Sequence, residues 1–158
     1  MTNEMFPRKP SWLHTIALGG LTVGVLDCLA AMTNAWMRSG VTPDRVWQYV
    51  ASSVVGPESF NMGASTIALG LLVHFSVAFG VAIGFYVVAR IFPAIISYPF
   101  IVGPIYGIFV YFIMSYGIVP LTLVKQGAFN WYGLLSGLII HMLFVGLPVA
   151  LITKRFAK

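Results

Sequence analysis

Four long apolar runs, separated by short segments that hold most of the prolines and charges, set the pattern of this chain. They cover about 13–37, 64–89, 99–117 and 131–152, near the ~20 residues a helix needs to cross a bilayer's hydrocarbon core. Polar and small residues inside the runs fall at helical spacing. In the first run Gly20, Gly24, Asp27, Ala31 and Asn34 are separated by four, three, four and three residues, which places all five on one face. The pattern predicts an all-α membrane protein, a four-transmembrane-helix bundle forming a single domain over residues 1–158.

A shorter helix is expected between the first two runs. Thr42-Pro43-Asp44-Arg45 supplies an N-cap residue, a proline at the first helical position and an acid in the first turn. Val46, Trp47, Val50, Ala51 and Val54 then share one side, and Gly56-Pro57 ends the element. At residues 43–55 it is too short to cross, so the pattern predicts an amphipathic interfacial helix lying in the headgroup plane.

Composition agrees: 59% of the 158 residues are hydrophobic and 8% charged, and the mean hydropathy is +0.91. That balance excludes a water-soluble domain. The net charge of +5 forms no basic stripe, and Lys and Arg stand at the ends of the apolar runs, so they read as topology anchors in the bilayer rather than as a nucleic-acid surface. With the N-terminus inside, Arg8, Lys9, Arg90, Lys154, Arg155 and Lys158 lie on the inner side and Arg38, Arg45 and Lys125 on the outer, six against three. Both termini are therefore expected in the cytoplasm. Cys28, the single cysteine, has no disulfide partner and reads as a buried thiol, and Asp27 immediately before it does not suit lipid attachment. The first run is longer than a signal-peptide core and is expected to be a retained span.

Each run carries one Gly-x-x-x-Gly: Gly20/Gly24, Gly80/Gly84, Gly103/Gly107 and Gly133/Gly137. Small residues one turn apart let membrane helices approach closely, so these eight are expected at packing faces, some against a second protomer. A weak internal echo relates Met37-x-x-Gly40-Val41-x-Pro43 to Met114-x-x-Gly117-Ile118-x-Pro120, and Gly70 through His74 to Gly137 through His141. A parallel two-helix repeat would produce it.

An aspartate at the centre of a membrane helix costs roughly 2.5–3.5 kcal/mol on insertion scales, so Asp27 must face protein or water. Counting about 1.5 Å per residue from each span centre brings Asp27, His74 and His141 within roughly 5 Å in depth. One buried polar site holding Asp27, His74 and His141, with Asn34 one to two turns further out, is the candidate. Four readings stay open. The group could relay protons or gate ions; His74 and His141 could ligate a b-type haem, with Gly70 and Gly137 leaving room for the porphyrin; Asp27 and the histidines could bind a divalent metal; or the three could only hydrogen-bond across the bundle. No cofactor is expected on the leading reading.

Tyr106, Tyr111 and Tyr116 read as packing residues, Pro104 and Pro148 as kink positions, and Glu58 and Asn61 as exposed loop residues. The chain shows no Gly-rich phosphate loop, no Gly-x-Ser-x-Gly elbow and no Cys-x-x-Cys, so enzyme chemistry is not expected.

The stretch from His74 through Val87-Val88-Ala89 to Phe92-Pro93, followed by Pro120, His141 and Lys154-Arg155, resembles small four-span bacterial inner-membrane proteins, of which the YagU-like proteins are one group. Gly20, Gly24 and Asp27, with Pro43, Arg45 and Val46, resemble a nearer set with Gly-x-x-x-Gly-x-x-Asp in span one and Pro-x-Arg-Val in the following loop. The resemblance implies the four-span architecture, a place in the bacterial inner membrane and a loose link of the YagU-like branch to acid tolerance. It implies no reaction. It carries the two histidines by position, whereas Asp27 belongs to the nearer set. The expected role is a non-enzymatic, transport-related or ion- and proton-responsive protein, with an accessory subunit of a larger membrane complex, a homo-oligomer and a haem-binding redox subunit as the alternatives.

Overall fold

The computed structural model describes residues 12–156. Arg8, Lys9 and Lys158, three of the inner-side cations, lie outside them. Six α-helices follow in order: α1 (Trp12–Ser39), α2 (Pro43–Val55), α3 (Ala64–Ile91), α4 (Pro99–Phe112), α5 (Trp131–Ile140) and α6 (Leu147–Phe156). A π-helical turn, Ile113–Ile118, and a short 3-10 turn, Val119–Leu121, continue α4, and a second π turn, His141–Gly146, joins α5 to α6. Four segments are long and apolar enough to cross a membrane: Trp12–Ser39, Ala64–Ile91, Pro99–Leu121 and Trp131–Phe156. The predicted spans match these, each extended by a few residues at its ends.

Local chemistry sets most boundaries. Gly40 at φ +64° ends α1 with its N–H on the Trp36 carbonyl, and Gly56 at φ +72° ends α2 with its N–H on Ser52; both are left-handed conformations that cost glycine little. Asn130 caps α5 by accepting from the Gly133 N–H at 2.6 Å. Both π turns begin seven residues before a proline, Ile113 before Pro120 and His141 before Pro148. Proline brings no N–H and its ring collides with the carbonyl four residues back; widening the preceding turn moves that carbonyl aside without breaking the span. Pro104, in contrast, sits inside regular α4.

The predicted glycine faces divide into four kinds. Gly20 and Gly24 lie under the rings of Phe79 and Phe75, so α3 packs on α1 by seating aromatic rings in glycine gaps; a β-carbon at Gly24 would stand 2.5 Å from the Phe75 ring. Gly103 and Gly107 meet the last span backbone to backbone: a β-carbon at Gly107 would fall 2.6 Å from the His141 carbonyl carbon, and one at Gly103 would fall 2.8 Å from the Leu147 Cα. Gly146, which no motif marked, is the reciprocal glycine of that contact. Gly84 leaves room for the Tyr106 hydroxyl and Gly137 for the Tyr111 ring. The remaining two meet no other span of this chain: Gly80 has nothing within 4 Å of where its β-carbon would be, and Gly133 meets only the Asn130 side chain that caps its own helix. Glycines pack only where their face of the helix turns inward, which spacing alone cannot tell.

The bounds of α2 and its Pro43 and Asp44 start are as predicted, and Trp47 and Ala51 of its predicted apolar side are buried. It doubles back against α3, burying Trp47, Gln48, Ala51 and Ser52 while Val54 is exposed. Gly70 admits the Trp47 backbone carbonyl, and Gln48 Nε2 donates to the Gly63 carbonyl at 3.5 Å.

A core of Val23, Ala78, Phe85, Val110, Val145 and Val149 ties α1, α3, α4 and α6 together near mid-bundle. Between α3 and α4 the bundle is open. The two helices are bridged by Tyr106, whose hydroxyl donates to the Val81 carbonyl at 2.8 Å and whose ring packs edge-on to Phe85 with centroids 5.0 Å apart. Towards the α2 end from there they separate, with Phe109 and Ile113 exposed along the gap.

Gly107→Leu is expected to destabilise the bundle by about 1–3 kcal/mol through forced overpacking, whereas Gly80→Ala gains up to about 1 kcal/mol of helix propensity; unfolding by steric trapping in bicelles measures both. At the start of α2, the hydrogen bond from Thr42 holds the Asp44 carboxyl below the usual carboxylate range. A lowered native value contributes stability above the ordinary range that is lost as pH falls through the native value. Hydrogen exchange of the α2 amides should therefore quicken on acidification through that window, and Asp44→Asn should remove the dependence.

Candidate functional site

One cavity of about 280 Å³ opens off the α3/α4 gap, and Asp27, His74 and His141 all line it. The three therefore share a pocket, as their depths suggested, reached from three different spans. α1 contributes Asp27 and Val23, α3 contributes His74 and Val77, and both π turns border the space, through Met114 and Ile118 on one side and His141 and Val145 on the other. π turns are rare in globular helices and concentrate at functional sites. Tyr49 and Ser53 of α2, with Thr122, give the α2 end of the cavity a polar wall, fixed by a hydrogen bond from the Leu123 N–H to the Ser53 carbonyl at 3.2 Å.

Each imidazole is anchored to the backbone. His74 Nε2 lies 2.8 Å from the Gly24 carbonyl of α1. A carbonyl only accepts, so Nε2 carries the hydrogen, and in the neutral ring the lone pair is left on Nδ1. His141 Nδ1 lies 2.9 Å from the Gly137 carbonyl in its own helix, so Nδ1 carries the hydrogen and Nε2 holds the lone pair. Aromatic rings fix both: Trp47 and Phe75 stand edge-on to His74, each with centroids 5.4 Å away, and Tyr111 stands edge-on to His141 at 5.3 Å. Asp27 differs. No described residue forms a hydrogen bond or ion pair with its carboxylate, and neither Lys nor Arg lines the cavity.

Asn34 is not part of this site. It accepts a hydrogen bond from the Tyr132 hydroxyl at 3.1 Å and lines a separate groove of about 630 Å³ between α1 and α5. It shares a face with Asp27, but α1 is long enough that two turns carry that face from one neighbouring helix to another. The metal and haem readings also meet obstacles. Among the described residues no three His, Cys, Asp or Glu side chains are grouped to hold a metal ion, Asp27, His74 and His141 included. The Nε2 of His74, the nitrogen furthest from its backbone, is already spent on Gly24, which does not suit an axial haem ligand.

The tyrosines of the third span pack, as expected, and none lines the cavity: Tyr111 covers Gly137, and Tyr116 stacks on Phe112 with centroids 5.7 Å apart. Glu58 and Asn61 are exposed. The internal echo has no counterpart in environment, since Gly70 meets the backbone of α2 whereas Gly137 meets a tyrosine ring. Residues that the sequence did not mark for the site are Tyr49, Ser53 and Thr122; the polar Gln48 and Ser52 on one side of α2 were the signal that this helix packs inward.

No family model, curated protein or solved structure matches the chain.

Replacing His74 with Phe keeps the edge-on ring contacts and removes the inter-helix hydrogen bond, for an expected loss of about 0.6–2 kcal/mol. His141→Phe removes a bond within one helix and should cost distinctly less. Unfolding of both variants in one bicelle composition gives the comparison.

Proposed function

We propose that this polytopic membrane protein is proton-responsive and transport-related, and that it works without covalent chemistry at the cavity shared by Asp27, His74 and His141. One observation carries the reading: an intramembrane carboxylate without a partner among the described residues lines the same cavity as two imidazoles that each keep a lone pair. Such a carboxylate is costly in lipid and finds its use in binding a proton or cation. The imidazoles are the side chains suited to accept that proton near neutral pH. Tyr49, Ser53 and Thr122 supply a polar approach at the α2 end. With the Lys and Arg distribution, the same reading places both termini in the cytoplasm and the protein in a bacterial inner membrane.

The test is proton movement into proteoliposomes loaded with a pH-sensitive dye. Under an imposed gradient the wild-type chain should dissipate the pH difference faster than empty liposomes, and Asp27→Asn should slow it by about tenfold or more, since the carboxylate's charge change is lost. Equal rates for wild type and Asp27→Asn, or for wild type and empty liposomes, overturn the proposal.

A further inference from the structure

We infer that the cavity binds a hydrophobic organic cation, an ammonium group on an apolar body, admitted sideways from the bilayer through the gap between α3 and α4. The inference deepens the reading above, because it gives Asp27 a second occupant that competes with the proton.

The walls define the ligand's body. Apolar side chains, Val23, Val77, Val81, Val110, Val145 and Met114 among them, make most of the surface, which suits carbon rather than a hydrated ion. With no cluster of oxygen or nitrogen ligands among the described residues, the site does not suit a bare metal cation, which needs several such ligands. Asp27 defines the ligand's charge. No Lys or Arg lines the cavity beside Asp27, and a cationic ligand supplies a counter-charge while its body fills the valine-lined space. An anion would be repelled, and a neutral molecule would leave the carboxylate uncompensated. In the neutral rings of His74 and His141 the nitrogens not bonded to Gly24 and Gly137 are acceptors.

The gap defines the route. A neighbouring cleft of about 270 Å³ shares Val77, Val81, Val110, Met114 and Ile118 with the cavity and runs out past Gly80 and Phe109. Gly80 is the predicted packing glycine that meets nothing, and its bare surface lies in the wall of this cleft. The cavity alone, about 280 Å³, lies near the lower end of the roughly 300–1,000 Å³ range of small-molecule sites, and the cleft extends it. Hydrophobic cations partition into membranes, so a lateral opening meets them where they concentrate.

The probe is benzyltrimethylammonium, measured by equilibrium dialysis against the full chain in lipid nanodiscs, with empty nanodiscs as the blank. Wild type should show saturable binding. Asp27→Asn should weaken it by about tenfold or more, the scale of a lost buried charge partner. Excess neopentylbenzene, the neutral isostere, should leave the cation bound. Gly80→Leu, which the empty space beside Gly80 accommodates, should slow uptake of the cation while Asp27-dependent proton movement continues. Absence of saturable binding, unchanged binding in Asp27→Asn, or equal displacement by neopentylbenzene overturns the cation site, and unchanged uptake in Gly80→Leu overturns the lateral route. Proton movement that still depends on Asp27, with no cation bound, would sink this inference and leave the proton reading standing. Asp27-dependent cation binding without proton movement would do the reverse.

Discussion

Inside a bilayer, helices gain nothing from hiding apolar surface, since lipid chains already solvate it, and must be held by contacts that lipid cannot imitate. In this protein those contacts are close approaches at small residues: phenylalanine rings over Gly20 and Gly24, and backbone against backbone where Gly103 and Gly107 face Gly146. The Gly24 contact brings α3 near enough for His74 to reach the Gly24 carbonyl, and the Gly107 contact sets the last span against α4 at His141. The positions of both imidazoles thus follow from where side chains are missing.

Where small residues do not pair, the bundle opens. α3 and α4 are consecutive spans, yet they are bridged by Tyr106 rather than by a glycine seam, and Gly80 faces the gap. The resulting cavity combines groups that rarely share lipid-accessible space: a carboxylate, two imidazoles and a wall of valine. The close-packed half of the molecule provides the rigidity that holds them, in keeping with sites in which a fixed scaffold supports a less packed, functional region.

The four spans and the bounds of α2 were legible in the sequence because span length, proline and glycine act locally. Depth along a helix is additive, and Asp27, His74 and His141, matched in depth, line one cavity. Which way each helix faces was not legible. Gly80 and Gly103 sit in identical motifs and end in opposite environments, because rotation about a helix axis is decided by neighbours. Asn34 shows the same limit, being on the face of Asp27 but beside a different helix. The π turns add a second cause: an extra residue within a turn shifts every later side chain around the axis, so a pattern read at 3.6 residues per turn loses phase before Pro120 and again before Pro148.

That loss of phase has a geometric side. A π turn inserts one residue into a helix, and successive positions stand about 100° apart around the axis, so the inserted residue offsets the faces on its two sides by that angle. His141 is the first residue of such a turn. The last span is therefore widest where it borders the cavity, and the side chains beyond that turn stand rotated about the axis relative to those before it.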